Sequence, residues 1–190
     1  MRRLLISALV ATLTIPTLIG GPALAVDDGS TLKPVSGDPA SLASFEGRVI
    51  DLSLGWGDAK ACSTDGRTTQ CFASEKEMDA AIGNPTQRPQ LVTSGFRAGA
   101  RRSCSSAMRL YDGISYTGIV IQIFTNNALL NMSSYAFDNK MTSFKMGSCS
   151  ASFFDDAWAG GTQYPGSTGA WAQSASMATG WNNRIGSLVV

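Results

Sequence analysis

The sequence predicts an all-β fold whose second half holds two Greek-key motifs in a sandwich. Three observations indicate this: short β-branched and aromatic runs separated by Gly- and Ser-rich turns, few helix-forming segments after Cys104, and an internal repeat. Four short strands in each of two copies are typical of paired Greek keys. A small disulfide-stapled β-hairpin and a short helix are predicted to precede this repeated part.

The first 25 residues have the features of a secretory signal peptide. Two arginines precede an apolar run that Pro16 interrupts, and Ala23-Leu24-Ala25 is a small-x-small cleavage pattern. We therefore expect a secreted, extracellular protein with no membrane contact after cleavage. An uncleaved membrane anchor is the alternative, and it is disfavoured because the run is short and contains proline.

Composition excludes several functional classes. Removing residues 1–25 takes away two of the 15 basic residues and none of the 14 acids, so the remaining charge is 13 − 14 = −1. A nearly neutral chain lacks the electrostatic footprint of a nucleic-acid-binding protein. The sequence has no histidine, which excludes Ser-His-Asp and Cys-His catalysis and His-containing zinc sites. We expect a monomer that is not an enzyme, although Ser-Lys and carboxylate-pair enzymes remain open.

The region before the repeat divides into three predicted segments. Residues 26–44, rich in Asp, Gly, Ser and Pro, are predicted to be a flexible leader. Residues 45–83 are predicted to form a hairpin and a helix, which a capping box of Ser74 and Glu77 begins and a glycine ends. Residues 84–103 contain two prolines and are predicted to be a linker before a domain at 104–190.

Four cysteines in an exported chain without a CxxC motif indicate disulfides rather than a metal site. Three pairings are possible. We favour Cys62–Cys71 and Cys104–Cys149, because the turn signal Asp65-Gly66 would place Cys62 opposite Cys71 across a hairpin. Each bridge would stabilise the fold by about 2–4 kcal/mol.

Residues 104–190 contain two copies, about 104–147 and 148–190. A first hairpin, LYDGISYTG at Leu110–Gly118, aligns with a second hairpin, FFDDAWAGG at Phe153–Gly161. A first turn, Asp138–Ser143, aligns in the same way with a second turn, Asn182–Ser187. The aligned glycines that end the two hairpins are expected at positive φ, close to an aromatic ring.

The two turns resemble the calcium signature of the βγ-crystallin superfamily. That signature has two acidic or Asn residues, two variable residues, a Ser or Thr, and a Ser. The first turn matches it in full, whereas the second turn has Gly186 in place of the hydroxyl. The aromatic hairpin that ends in glycine is also similar to that family, and the resemblance covers Cys104–Val190.

This resemblance implies one calcium ion per turn, with each site completed by the hairpin of the other repeat. Calcium takes roughly 6–8 oxygen ligands, and fewer charged ligands bind it more weakly. The second site is therefore expected to be poor, and Asx turns without a metal are the alternative for both. The implied ligands are Asp138, Asn139, Lys140, Thr142, Ser143, Asp155 and Asp156 for the first site, and Asp112, Asn182, Asn183 and Ser187 for the second.

The exported, disulfide-bonded second half is also similar to a group of actinobacterial secreted proteins that includes peptidase inhibitors. This implies a binding protein that presents a loop to an extracellular peptidase. The candidate loops are Gly160–Gly169, which contains Tyr164-Pro165, and Ser115–Gly118. A calcium-stabilised structural or envelope protein is one alternative.

A secreted toxin or carbohydrate-binding module is the other alternative. Trp158, Trp171 and Trp181 are candidates for stacking on sugars, but Trp181 aligns with Phe137 and is expected in the core.

Overall fold

The structure is a computed structural model that describes residues 41–82 and 103–190. The predicted signal peptide, residues 26–40 of the predicted leader and residues 84–102 of the predicted linker lie outside these ranges. No helix within the described ranges is long and apolar enough to cross a membrane.

The described chain contains eleven short strands and one α-helix. Single 3₁₀ turns lie at Leu52–Leu54, Ile114–Tyr116, Met132–Tyr135 and Ala157–Ala159. The strands are β1 (Leu42–Phe45), β2 (Arg48–Asp51), β3 (Ala61–Thr64), β4 (Thr69–Phe72), β5 (Ser103–Tyr111), β6 (Val120–Thr125), β7 (Leu129–Asn131), β8 (Ser143–Lys145), β9 (Ser152–Phe154), β10 (Gln173–Ser174) and β11 (Ser187–Val189), and the helix is α1 (Glu75–Ile82).

The two repeats exchange strands. The large sheet has the order β10-β8-β5-β6-β3-β4-β1-β2, so that β10 of the second repeat pairs with β8 of the first. The small sheet has the order β7-β11-β9, so that β7 of the first repeat pairs with β11 of the second. This reciprocal exchange unites the repeats in one sandwich and confirms the predicted all-β fold.

The amino-terminal segment extends the same sheet. Strand β3 pairs in parallel with β6, with Ala61 opposite Val120. Strand β1 begins inside the segment predicted to be a flexible leader, and it buries Ala43 and Phe45 in the core that both segments share. The Trp56 Nε1–H also donates a buried hydrogen bond of 2.6 Å to a carbonyl oxygen in the repeated half. The sequence interpretation separated residues 45–83 from residues 104–190, whereas the structure joins them through one sheet and one core.

Both predicted disulfides are present. Cys62 lies directly opposite Cys71 across the β3–β4 hairpin, with a Cα–Cα distance of 4.0 Å. The Cys104–Cys149 bridge spans 45 residues. Half of the predicted capping box forms at α1, because the Glu77 amide donates to the Ser74 hydroxyl at 3.2 Å, while the Glu77 carboxylate accepts from the Ala73 N–H at 3.2 Å.

Helix α1 packs on the outer face of the large sheet. Met78 is fully buried in a small cluster with Ala61, Tyr111 and Val120. Two of the three acidic residues of the helix, Glu75 and Asp79, form ion pairs with the guanidinium of Arg109 on β5. These contacts hold the helix over the strands that join the two segments. Burial, together with the nearby Glu75 carboxylate, raises the pKa of Tyr111.

The predicted positive φ at the two hairpin glycines is confirmed. Gly118 has φ 85° and Gly161 has φ 71°. The group that crowds each glycine is a carboxylate rather than an aromatic ring. A Cβ on Gly118 would overlap Asp112 Oδ1, and one on Gly161 would overlap Asp155 Oδ1. The hairpin therefore requires glycine for both its backbone conformation and its lack of a side chain.

We expect Gly118→Ala to lower the free energy of unfolding by about 2–5 kcal/mol, because strain at positive φ and a steric clash add together. Gly180 is a matched control, since it has φ 81° and no atom within 4 Å of an added Cβ. Gly180→Ala should cost only about 1–2 kcal/mol. Urea denaturation of the two variants measures the difference, and equal costs would contradict the role of the Asp112 contact.

Candidate metal centre

The two polar turns lie side by side, and matching bonds join them. The Asn139 N–H donates to the Ile185 carbonyl at 3.0 Å, and the Asn183 N–H donates to the Met141 carbonyl at 3.0 Å. Asn139 and Asn183 occupy the same position in the two turns, and both are left-handed, with φ 55° and 54°. The repeats therefore meet at their turns with nearly two-fold symmetry.

Three oxygen atoms converge where the two turns meet. The Thr142 hydroxyl lies 3.0 Å from Asn183 Oδ1 and 3.3 Å from the Lys140 carbonyl oxygen. Thr142 is buried, whereas the other two residues are exposed. We call these three atoms the Thr142 site. It combines two residues that the sequence interpretation assigned to the first site with one that it assigned to the second.

Asp138 supplies a carboxylate in the first turn. Its Oδ2 accepts a hydrogen bond of 3.1 Å from Asn139 Nδ2. Asp138 is exposed, but partial desolvation of its carboxylate still raises its pKa, because desolvation disfavours the charged form. A cation bound near this turn would offset that penalty.

The second turn does not fit a metal ion. Gly186 has no hydroxyl, and an added Cβ would lie 2.7 Å from the Asp155 carbonyl oxygen and 2.9 Å from the Asp156 carbonyl carbon. Backbone packing therefore excludes any side chain at this position. In addition, Arg184 forms a 2.7 Å ion pair with Asp155 Oδ2, which neutralises a carboxylate next to the turn.

The two serines that end the turns hold the hairpins of their own repeats. The Ser143 hydroxyl donates to the Gly113 carbonyl at 2.6 Å and accepts from the Tyr116 N–H at 3.0 Å. The Ser187 hydroxyl makes equivalent bonds of 2.6 and 2.9 Å in the second hairpin. Both serines are fully buried. These two predicted calcium ligands therefore attach strands β8 and β11 to the tips of the hairpins in their own repeats.

The hairpin aspartates also bond within their own repeats. Asp112 Oδ1 accepts from the Ile119 N–H at 2.6 Å, and Asp155 Oδ1 accepts from the Thr162 N–H. Asp156 is exposed, and its backbone carbonyl accepts from Ser187. The group that meets Thr142 from the other repeat is an amide of the second turn, not one of the hairpin acids that the resemblance implied. Asn182 lies exposed on that same turn.

The donor set of the Thr142 site determines which ion it suits. The described residues contain no group of three or more His, Cys, Asp or Glu side chains that could hold a metal. An ion here would contact hydroxyl, amide and carbonyl oxygens, with water as the remaining ligands. Hard cations such as calcium accept such oxygens, but the low ligand charge predicts weak binding.

The structure also shows which of the aromatic residues proposed to contact a partner or a sugar are exposed. Tyr164 is 5% exposed, and its ring packs edge-on against the Trp181 ring with 5.4 Å between the ring centres. Its side chain is therefore part of the core and is not available as the contact residue of the Gly160–Gly169 loop. Trp181 is buried, as its alignment with Phe137 predicted. Trp158 and Trp171 are 76% and 66% exposed.

The Asp155 carboxylate should make stability depend on pH. The hydrogen bond from the Thr162 N–H is the largest cause that holds the pKa of Asp155 below its ordinary value of 3.8, and the ion pair with Arg184 lowers this pKa further. A depressed pKa contributes stability above the ordinary value, and this contribution is lost as the pH falls through the folded value. We expect the parent to have a larger free energy of unfolding than Asp155→Asn at about pH 6. This gap in stability should shrink as the pH falls to about 2, where the carboxylate becomes protonated.

Denaturation curves across this pH range measure that gap. Arg184→Met should reduce the gap without abolishing it, because the Thr162 N–H remains. A gap that stays constant with pH would contradict this account of the carboxylate.

Comparisons with known proteins find similar chains only among solved structures. No protein-family model and no curated protein sequence matches the chain. Among solved structures, a βγ-crystallin domain from Flavobacterium johnsoniae is 18% identical, covers 43% of this chain and 90% of its own, and has a TM-score of 0.36. A βγ crystallin from Ciona intestinalis is 16% identical, with coverages of 44% and 98% and a TM-score of 0.36. A clostrillin double mutant in complex with nickel is 16% identical, with coverages of 44% and 95% and a TM-score of 0.34.

Proposed function

We propose that this chain is an exported, non-enzymatic βγ-crystallin-type binding protein, stabilised by one calcium ion at the Thr142 site. The observation that carries the proposal is that one oxygen from each turn, the Lys140 carbonyl and Asn183 Oδ1, lies within 3.0–3.3 Å of the Thr142 hydroxyl. Asp138 adds a carboxylate in the same turn as Thr142, and partial desolvation raises its pKa. The complete lack of histidine supports the non-enzymatic part.

Calcium at this position would act on stability. The Thr142 site takes atoms from both repeats, so an ion bound there requires the folded arrangement of the two turns. Because the three oxygens are neutral, we expect a dissociation constant of about 10⁻⁴–10⁻³ M, as in extracellular modules. At a hundredfold excess over this value, binding would add about 2.7 kcal/mol to the free energy of unfolding.

We expect calcium to raise the melting temperature by about 5–10 °C relative to chelator. Thr142→Ala should abolish this rise, since it removes the hydroxyl at the centre of the site. Thr142→Ser keeps the hydroxyl and should preserve the rise. Calorimetric melts of the parent and both variants, with calcium and with chelator, provide the measurement.

The two equivalent asparagines test which turn completes the site. Asn183→Ala and Asn139→Ala alter the same turn position, at the same left-handed φ. We expect only Asn183→Ala to remove the calcium-dependent rise, because Asn183 lies against Thr142. Loss of the rise in Asn139→Ala alone would favour the assignment from sequence, and parent melting temperatures that calcium does not change would rule out the metal.

The partner that we propose is an extracellular peptidase, contacted through the first hairpin. Ile114 at its tip is 62% exposed. The tip is held by the Ser115 N–H, which donates to the Ala175 carbonyl at 2.7 Å, and by Thr117 Oγ1, which donates to the Ile114 carbonyl at 2.7 Å. A rigid, exposed apolar tip suits insertion into a cleft, because little conformational freedom is lost on binding.

We expect the protein to inhibit at least one member of a panel of secreted metallo-, serine and cysteine peptidases. Ile114→Asp should raise the inhibition constant by about tenfold or more. Val49→Asp is a control, since Val49 is 69% exposed and lies on the distant strand β2. Lack of inhibition by the parent at micromolar concentration would leave a calcium-stabilised structural or envelope protein as the better proposal.

A further inference from the structure

A groove of about 530 Å³ lies on the outer face of the large sheet. Glu75 and Asp79 of α1 line it on one side, and Trp171 and Gln173 line it near β10. Its volume falls within the roughly 300–1,000 Å³ range of small-ligand clefts. It includes none of the atoms of the Thr142 site.

Strand register makes the floor of this groove polar. Gln173 is paired with Lys145, and Lys145 is paired with Arg109, across strands β10, β8 and β5. Residues paired in this way present their side chains on the same face of a sheet. Their neighbours Leu110 and Phe144 face the opposite way and are buried. Three hydrogen-bonding side chains therefore lie in one row at the base of the groove.

The charges that line the groove are balanced and paired. Arg109 forms ion pairs with both Glu75 and Asp79. Lys145 Nζ lies 4.3 Å from the centre of the Tyr116 ring, in a cation–π contact. Two positive and two negative groups leave little net charge for an ionic ligand. The groove nevertheless offers an amide, an ammonium and carboxylate oxygens as hydrogen-bonding groups.

The Trp171 side chain is exposed at the edge of the groove on an ordered backbone. The Trp171 backbone N–H donates to the Gly147 carbonyl at 2.8 Å, and the Ala172 carbonyl accepts from the Met146 N–H at 2.7 Å. The residue holds a left-handed φ of 66°. An exposed indole beside hydrogen-bonding side chains provides an apolar face and polar groups in one place.

We infer that this groove binds a neutral oligosaccharide chain. A pyranose ring has an apolar C–H face, which would stack on Trp171, and a rim of hydroxyls, which would bond to Gln173, Lys145 and the free carboxylate lone pairs of Glu75. The paired charges favour such a ligand over a cationic or anionic peptide. This activity is separate from calcium binding and from contact with a peptidase.

Titration calorimetry of the full chain with the neutral hexaoses N-acetylchitohexaose (the hexamer of N-acetylglucosamine), cellohexaose and maltohexaose tests the inference. We expect at least one hexaose to bind at ligand concentrations of about 1 mM or below. Trp171→Ala should weaken that binding by about tenfold or more, and Trp171→Phe should keep most of it. Gln173→Ala should weaken it as a second, independent change in the groove.

Trp158 provides the matched control. It is also exposed, has a left-handed φ of 59°, and does not line the groove. Trp158→Ala should bind the hexaose as the parent does, and raising the salt from about 0.05 to 0.5 M should change the affinity less than about twofold. Failure of all three hexaoses to bind would overturn the inference. Equal losses in the two tryptophan variants, or a steep salt dependence, would overturn it as well.

Discussion

The exchange of β7 and β10 between the repeats is the constraint on which the rest of the structure depends. Each repeat alone would leave one sheet a strand short, because β10 completes the sheet of the first repeat and β7 that of the second. The exchange places equivalent turns against each other, where Asn139 bonds to Ile185 and Asn183 bonds to Met141. The Thr142 site forms because the exchange brings the two turns together, since its atoms come from both turns. The polar floor of the groove also depends on it, because Gln173 reaches Lys145 only through the exchanged strand.

The two repeats show how one scaffold can keep its structural bonds while the chemistry at its turns diverges. Ser143 and Ser187 make matching bonds to their hairpins, and Asp112 and Asp155 close those hairpins in the same way. The fifth turn position has diverged: one repeat has Thr142 and the other has Gly186. Packing of Gly186 against the second hairpin leaves no room for a hydroxyl, so a return to two equivalent sites would need a backbone movement as well as a substitution.

The sequence predicted the features that local chemistry determines, together with both disulfides, but missed the long-range strand pairing that joins the two segments. The positive φ of the hairpin glycines, the cysteine pair across Asp65-Gly66 and the Ser74 cap of α1 follow from residues close in the chain, and the structure confirms them. The parallel pairing of β3 with β6 joins segments separated by a region that lies outside the described residues, and no local pattern indicates it. The predicted calcium ligands also divide into those that the local turn motif determines and those that depend on how the repeats pack. Thr142 follows from the turn motif, but its approach to Asn183 depends on how the repeats dock, and the hydroxyls of the two serines serve the hairpins.

The parallel pairing of β3 with β6 has a consequence for solubility. Strand β6 reads VIQIFT, a run of high β-propensity without charge or proline. Such a segment on an open sheet edge is a template for intermolecular cross-β stacking. In this chain β3 covers that edge, and the edge passes to β2, which carries Arg48 and Asp51 as charged gatekeepers at its two ends. The amino-terminal segment therefore covers the strand edge at which molecules of this chain would otherwise pair with one another.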